Sequence, residues 1–324
     1  MRVVIPVAGS GTRLRPHTYS QPKPLMPVGG KPMLAHLLDP VVKLRPSEVI
    51  FVIGYMGERI KEYVTANYSF RSSFVLQDKL LGLGYAVEVA VRTISDGDVL
   101  VVLGDTLVEC DLRRFADAGD NVLGVMPVDS PSRFGIVYVN NGRVTKLVEK
   151  PEHPESNLAI IGLYYFKDVR PLKKALMHLV ESGRITRGEI QFTDALQMML
   201  ESGSEFVPYE VREWFDCGKK ETMLTTNQHL TEVLGRKLQI PGSVIRGSVC
   251  IHPSARIIDS QVGPAVSISE GTVVVKSNIE NSIIGSNCHI ENSTLKDSLI
   301  GNDVRLKGVS LVANLGDSSE VESG

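Results

Sequence analysis

An α/β architecture is predicted for this chain: a doubly wound, mixed sheet that gives way to a parallel β-helix. Three observations predict it. Apolar strand-like runs alternate with segments of helical spacing through residue 103. Closely spaced strand signals then follow without helices between them. Beyond residue 238 short β-branched pairs recur among Gly, Asn and Ser.

In order, residues 3–7 form a short apolar strand, and 33–44 carries Met33, Leu34, Leu37, Leu38, Val41 and Val42 at helical spacing. A strand is predicted over 48–53, closed by Gly54, then a helix over 57–66, a strand over 74–77, a helix over 85–93 and a strand over 99–103. Such alternation gives βαβ units and a mainly parallel sheet. Ligands of these sheets gather beyond the C-terminal strand ends, where Gly9–Gly11 and Gly104–Asp105 both fall. Residues 135–139, 143–148 and 159–166 read as an antiparallel excursion, and helices return over 172–181, 192–201 and 221–234.

The last third obeys another grammar. Ile283-Ile284-Gly285-Ser286-Asn287 and Leu299-Ile300-Gly301-Asn302-Asp303 are near copies, 16 residues apart. A period of about three hexads, with aliphatics opening each strand and Gly or Asn at the corners, suits coils that stack and bury a ladder of aliphatics, about four or five of them here. A sandwich of short strands is the alternative. The polar end, 314–324, reads as a tail.

Bulk properties narrow the function. With 324 residues, about two domains are expected. Hydrophobic residues are 43% and charged residues 22%, ordinary for a globular chain that buries a core. A net charge of −2 gives no basic field for nucleic acid. No apolar run approaches the ~18 residues of a membrane span. The N-terminal run ends in a Gly-rich loop, as a buried strand does and a signal peptide does not. Cys110, Cys217, Cys250 and Cys288 stand far apart, as reduced thiols of a cytoplasmic protein do.

Residues 8–28, AGSGTRLRPHTYSQPKPLMPV, carry the first chemistry. After a strand, Ala8, Gly9, Gly11 and Thr12 let backbone N–H groups approach phosphate oxygens, and Arg13 adds a planar fork of donors. The loop lacks the third Gly of the dinucleotide fingerprint and the GK[ST] of a Walker A loop. Lys23 stands between Pro22 and Pro24, a cation on a stiff strut. The whole segment resembles the signature of the sugar-1-phosphate nucleotidyltransferases, G-x-G-T-R-L-x-P-x-T-x-x-x-P-K-P-L-x-P.

Further blocks fit that resemblance in order up to about residue 218. Gln77 and Gly82 resemble the family's nucleobase pocket, with Tyr85 where a small or amide residue is common. Val99–Asp105 resembles the strand that delivers a metal-binding aspartate, and Trp214-Phe215-Asp216-Cys217-Gly218 resembles the W-x-D-x-G that delivers a second. Arg133-Phe134-Gly135-Ile136, Glu149-Lys150-Pro151 and the stretch around Ile160 resemble the sugar side, where a Gly amide and a Glu hold the sugar and the Lys its phosphate. Gly188–Asp194 resembles a helix start whose Thr193 and Asp194 read as caps.

The resemblance implies a Rossmann-like catalytic domain over 1–236, a left-handed β-helix over 237–313 and a polar tail over 314–324. It implies an enzyme that joins an NTP to a sugar 1-phosphate and releases pyrophosphate, with Arg13 and Lys23 as catalytic cations. Ala8, Gly9, Gly11, Thr12, Gln77, Gly82 and Asp105 would hold the nucleotide. Gly135, Glu149, Lys150 and Ile160 would hold the sugar phosphate, and Asp105 and Asp216 would hold Mg²⁺. Gln77 favours a pyrimidine: dTTP is expected first and UTP close behind, with glucose 1-phosphate as acceptor. The protein is expected to be cytoplasmic and a homo-oligomer, paired through the β-helix, with no nucleic-acid or membrane partner. The alternatives are a non-catalytic scaffold homologue, or a bifunctional enzyme whose β-helix transfers an acyl group using His252 or His289.

Overall fold

The structure, a computed structural model, describes residues 1–323. By its contacts the chain forms two compact units, Met1–Gly9 with Leu37–Trp214, and Ser10–His36 with Phe215–Gly324. The expected boundary falls at residue 236, whereas the contacts group segment 10–36 and the helix Lys220–Leu234 with the coils. The Gly29 amide donates to Asn227 Oδ1 on that helix at 2.9 Å, and Gly29 has room only for hydrogen beside Leu230.

The first unit is built on a nine-stranded sheet. Seven strands lie in the order Arg143–Glu149, Gly135–Asn140, Leu158–Phe166, Val99–Val102, Arg2–Pro6, Glu48–Ile53 and Ser72–Leu76. The strand Arg2–Pro6 pairs in parallel with both Glu48–Ile53 and Val99–Val102, while Leu158–Phe166 runs antiparallel to Val99–Val102. Val3–Ile5 and Val99–Val101 are fully buried, as strands covered on both faces must be. The helices Gly57–Asn67, Leu83–Val91, Val169–Glu181 and Phe192–Glu201 follow their expected positions within a few residues.

Two further strands escaped the sequence reading. Asn121–Pro127 pairs with Leu158–Phe166, and Val207–Glu210 adds in parallel to Asn121–Pro127. Gly124 interrupts the apolar pattern of the first, yet a Cβ there would stand 2.9 Å from Leu163 Cβ, so close packing demands the glycine. Register shifts between Ile160 and Tyr164, where Gly162 adopts φ +84° and accepts from Leu103 N–H at 2.9 Å. That bulge ties the end of Val99–Val102, and the Gly104-Asp105 turn after it, to the neighbouring strand.

In the second unit three parallel sheets of five strands each form the faces of the expected β-helix. Parallel in-register pairing excludes the sandwich. The period tightens along the axis: Val244 pairs with Gln261, 17 residues on; Ile283 with Leu299, 16 on; Leu299 with Asn314, 15 on. Inside, Ile257, Val274, Ile290 and Leu306 stack as one of the aliphatic columns.

Buried serines make the corners. Ser277 Oγ donates to Val275 O at 2.7 Å and accepts the Ser293 amide of the next coil at 3.0 Å; Ser293 repeats both bonds with Glu291 and Val309. Each is preceded by a residue with positive φ, Lys276 and Asn292, so one hydroxyl closes its own corner and tethers the next. The chain end read as a polar tail is polar but also paired: Asn314–Leu315 and Glu320–Glu322 extend two faces into a fifth coil. Among the described residues no helix is long and apolar enough to cross a membrane.

Candidate active site

The expected residues fall into two sets, one on each unit. On the first unit Ala8 is buried behind Gly54, whereas a Cβ added to Gly9 would meet no atom within 4 Å. Open space at that glycine suits close approach of a ligand to the backbone. Gly104 packs its bare Cα against Val7 and donates to Pro6 O at 3.2 Å, which sets Asp105, half-buried, at the strand end. The charges of Asp105 and Glu149 both bear on the buried Tyr164 phenol; burial first, then these carboxylates, push its pKa well above the usual tyrosine value.

Four residues expected on the sugar side converge. A Cβ on Gly135 would lie 2.8 Å from Thr193 Oγ1, 3.1 Å from Glu149 Oε2 and 3.4 Å from Ile160 Cδ1. Thr193 Oγ1 donates to Glu149 Oε2 at 2.7 Å, and Lys150 Nζ lies 3.1 Å from Glu149 Oε1. The Lys150 backbone, at φ +43°, is pinned by its amide to Phe134 O at 2.9 Å and by Arg187 Nη2 on its carbonyl at 2.8 Å. Glu149 is only 10% exposed while Lys150 is 40% exposed. A recessed acceptor thus sits beside a cation open to solvent, which suits a ligand with hydroxyls at one end and a phosphate at the other.

The reading of Thr193 and Asp194 as helix caps is corrected here. The helix Phe192–Glu201 has no side-chain cap at Gln191; Thr193 serves Glu149, and Asp194 Oδ2 accepts from Thr186 Oγ1 at 2.6 Å. Sequence reasoning missed this because the partner of Thr193 lies 44 residues away. It also passed over the Trp214 indole, which packs edge-on against Phe134 at 5.3 Å and whose buried Nε1–H has no acceptor in the protein. An orphan buried donor costs about 1–3 kcal/mol and calls for an explanation, such as a ligand acceptor.

The residues expected on the nucleobase side share one loop system. Gln77 closes the strand Ser72–Leu76 through its amide on Ile53 O at 2.8 Å, and its Nε2 donates to Lys79 O at 3.0 Å. Gly82, at φ +103°, has no room for a Cβ, which would stand 2.7 Å from Glu189 Cβ. The 81–84 turn is laced to the Gly188–Asp194 stretch by Ile190 N–H on Leu81 O at 2.7 Å and Gly84 N–H on Ile190 O at 2.9 Å. Tyr85 donates its hydroxyl to Asp78 Oδ1. That bond raises the phenol pKa and lowers that of Asp78, holding the pair as phenol and carboxylate.

On the second unit Gly11 adopts φ +61°, and a Cβ there would lie 2.9 Å from Thr18 Cγ2 and 3.1 Å from Lys23 Cβ. Thr18 Oγ1 donates to Gly11 O at 2.9 Å. Lys23, opening the 3-10 turn Lys23–Leu25 behind Pro22, is only 8% exposed, so the strut does not release it into bulk water. Thr12 and Arg13 are exposed on the turn Thr12–Leu14. Gly218 borders both Arg13 and Asp216: a Cβ on it would stand 3.0 Å from Arg13 Nη2 and 2.9 Å from Asp216 Oδ1. Cys217 is buried, its Sγ 3.5 Å from Thr226 Oγ1.

Asp105 on the first unit and Asp216 on the second each offer hard carboxylate oxygens, and among the described residues no three His, Cys, Asp or Glu side chains cluster as a closed metal cage. Either carboxylate suits Mg²⁺, which commonly takes one or two carboxylates and leaves its other positions to phosphates and waters. Of the histidines of the β-helix, His252 Nδ1 is 2.8 Å from Ser254 Oγ and His289 lies 3.7 Å from Glu291.

The sequence of the family described as nucleotidyl transferase matches residues 2–233 of this chain. A bifunctional protein GlmU from Methanococcus vannielii is 32% identical over 97% of this chain and 81% of its own length. A glucose-1-phosphate thymidylyltransferase from Streptomyces griseus is 30% identical over 99% of both chains. Among solved structures, a UDP-glucose pyrophosphorylase from Acinetobacter baumanii superposes with a TM-score of 0.60 at 25% identity, over 72% of this chain and 94% of that one. A putative glucose-1-phosphate thymidylyltransferase from Bacillus anthracis shares the fold, with a TM-score of 0.63 at 24% identity over 73% of this chain and 98% of the other.

Proposed function

The chain belongs to the nucleotidyl transferase family, and on that premise we propose that it transfers a nucleotidyl group to a sugar 1-phosphate, with dTTP as first donor and UTP as second. Glucose 1-phosphate is the first acceptor. The observation that carries this reading is the convergence of Gly135, Glu149, Ile160 and Thr193, with Lys150 Nζ beside Glu149. A thymidylyltransferase relative aligned along 99% of both chains supports the choice of substrates.

In the proposed reaction an oxygen of the sugar phosphate attacks the α-phosphorus of the NTP. A new P–O bond forms, the bond from the α-phosphorus to the bridging oxygen breaks, and pyrophosphate leaves with that electron pair. A phosphate monoester has a second pKa of about 6, so the nucleophile is already an anion near neutral pH and needs no general base. The chain must instead bring like charges together and offset them. Lys150 holds the sugar phosphate while Glu149 accepts from sugar hydroxyls. Arg13 and Lys23 offset charge on the α-phosphate and the departing pyrophosphate. Ala8, Gly9, Gly11 and Thr12 present backbone donors, and Gln77 and Gly82 receive the base. Asp105 and Asp216 would hold Mg²⁺, which would supply further neutralisation of the nucleotide phosphates.

Pyrophosphate release, measured across four NTPs and several sugar 1-phosphates with and without Mg²⁺, tests the reading. Release that needs a pyrimidine NTP, a sugar 1-phosphate and the ion together is expected. Release without any sugar phosphate would sink it, and no release from any pair would favour a scaffold homologue.

A further inference from the structure

The segment that carries Arg13 and Lys23 is held at one end by the helix Lys220–Leu234 and at the other by the coils of the same unit. At one end the Gly29–Gly30 turn rests on Asn227, which is fully buried. Asn227 Oδ1 accepts from Gly29 N–H and Ser267 Oγ, while its Nδ2 donates to Ala265 O at 2.9 Å. At the other end the contacts come from the fourth and fifth coils. His17, 4% exposed, meets Asn314 Oδ1 through Nε2 at 2.8 Å. Asn314 Nδ2 donates to Arg15 O at 3.4 Å and Asn302 Nδ2 to Gln21 Oε1 at 3.4 Å. A Cβ on Gly316 would stand 3.0 Å from Pro16 Cβ. Asp317 locks the two coils behind this contact, its Oδ1 accepting from Asn302 N–H at 2.8 Å.

Two features mark these contacts as more than a cap on the coils. Between residues 12 and 25 the segment consists of three short 3-10 turns, Thr12–Leu14, His17–Tyr19 and Lys23–Leu25. Such turns have no long hydrogen-bond ladder of their own, so their shape depends on what they rest against. The stacked column that reads Cys250, Ser267, Ile283 and Leu299 ends in Asn314. The amide there meets both His17 and the Arg15 carbonyl.

We propose that Asn314, through His17, is a positioning residue for nucleotidyl transfer, so that the fifth coil of the β-helix is a working part of the phosphate site. The proposal rests on the transferase reading above. Asn314 touches no reacting atom; it fixes the loop on which Arg13 and Lys23 stand. A misplacement of about 1 Å in such a group can cost about a hundredfold in rate.

The test is Asn314→Leu, which keeps a side chain of similar size and removes the acceptor, beside Asn314→Asp, which keeps an acceptor for His17. The Leu variant is expected to lose about tenfold or more in kcat, with KM for the sugar phosphate little changed, and to exchange the amides of residues 11–26 faster. The Asp variant is expected to restore both. Should Asn314→Leu fail to fold, His17→Leu removes the same bond from the other side. Unchanged exchange over 11–26 in the variant that folds overturns the proposal, whatever happens to turnover. If the wild-type protein itself shows no turnover, the transferase reading fails while the exchange measurement still decides the contact.

Discussion

Thr193 Oγ1 donates a 2.7 Å hydrogen bond to Glu149 Oε2, across 44 residues of sequence, directly beside the bare Cα of Gly135. A carboxylate held in one rotamer this way is pre-organised to accept from hydroxyls on its remaining lone pairs. A hydrogen bond to a charged group contributes about 1.5–3 kcal/mol. Thr193→Val should therefore raise KM for the sugar phosphate by about tenfold or more, while Thr193→Ser should keep the wild-type value. Initial-rate kinetics at saturating NTP check this; equal KM in all three proteins would remove Thr193 from the site.

Gly218 leaves no room for a side chain between Arg13 and Asp216. In Gly218→Ala the methyl group must push Asp216 Oδ1 from 2.9 Å, or the guanidinium from 3.0 Å, and a short carboxylate on a strand end yields less readily than the far end of an arginine. Turnover is therefore expected to fall several-fold through displacement of the Arg13 guanidinium, with the half-saturating Mg²⁺ concentration and the thermal midpoint little altered. A titration of activity against Mg²⁺, paired with a melting curve, reads all three.

Asp105→Asn keeps shape and volume at the end of a buried strand but removes the charge. Turnover is expected to fall by about 10²–10³, the usual range for losing one preorganised electrostatic contact in a transition state. Initial-rate kinetics, paired with a melting curve that shows the fold retained, check this; near-normal turnover in Asp105→Asn would remove the residue from the metal site.

His17 sets a pH dependence of stability. Burial lowers its folded-state pKa below the ordinary histidine value, against the opposing pulls of Asn314 and the Asp317 carboxylate. Between the folded value and about 6.5 the unfolded chain therefore binds more protons than the folded one, and stability must rise with pH. The contribution is fully present above about pH 6.5 and is lost as pH falls through that window. Thermal midpoints at pH 5.5 and 7.5 should differ more for the wild type than for His17→Gln; an equal difference in both would show that another group carries it.

Much of the fold could be read from local pattern, and what could not has a common physical cause. The strand Glu48–Ile53 and the helix Phe192–Glu201 begin and end where their apolar spacing says, because each follows a single periodicity. Asn121–Pro127 hides behind Gly124, whose presence answers to Leu163 on another strand. The coils announced themselves through the copies at Ile283 and Leu299, but the tightening from 17 to 15 residues depends on corner geometry that only the pairing displays. In the candidate site, the glycine loop, Lys23 between its prolines and the Glu149-Lys150 pair are contiguous and so were visible. Thr193, Trp214, Asn227 and Asn314 act on partners tens to hundreds of residues away, and no window of sequence contains both ends of such a contact.

In the proposed reaction the sugar phosphate oxygen itself attacks the nucleotide's α-phosphorus, so the fate of that oxygen is the most direct test. Glucose 1-phosphate carrying ¹⁸O on its phosphate should be incubated with dTTP, Mg²⁺ and the protein, and the products weighed by mass spectrometry. The account predicts that all of the label enters the nucleotide sugar and that pyrophosphate leaves unlabelled; label in the pyrophosphate, or free glucose 1-phosphate beside hydrolysed nucleotide, would contradict it.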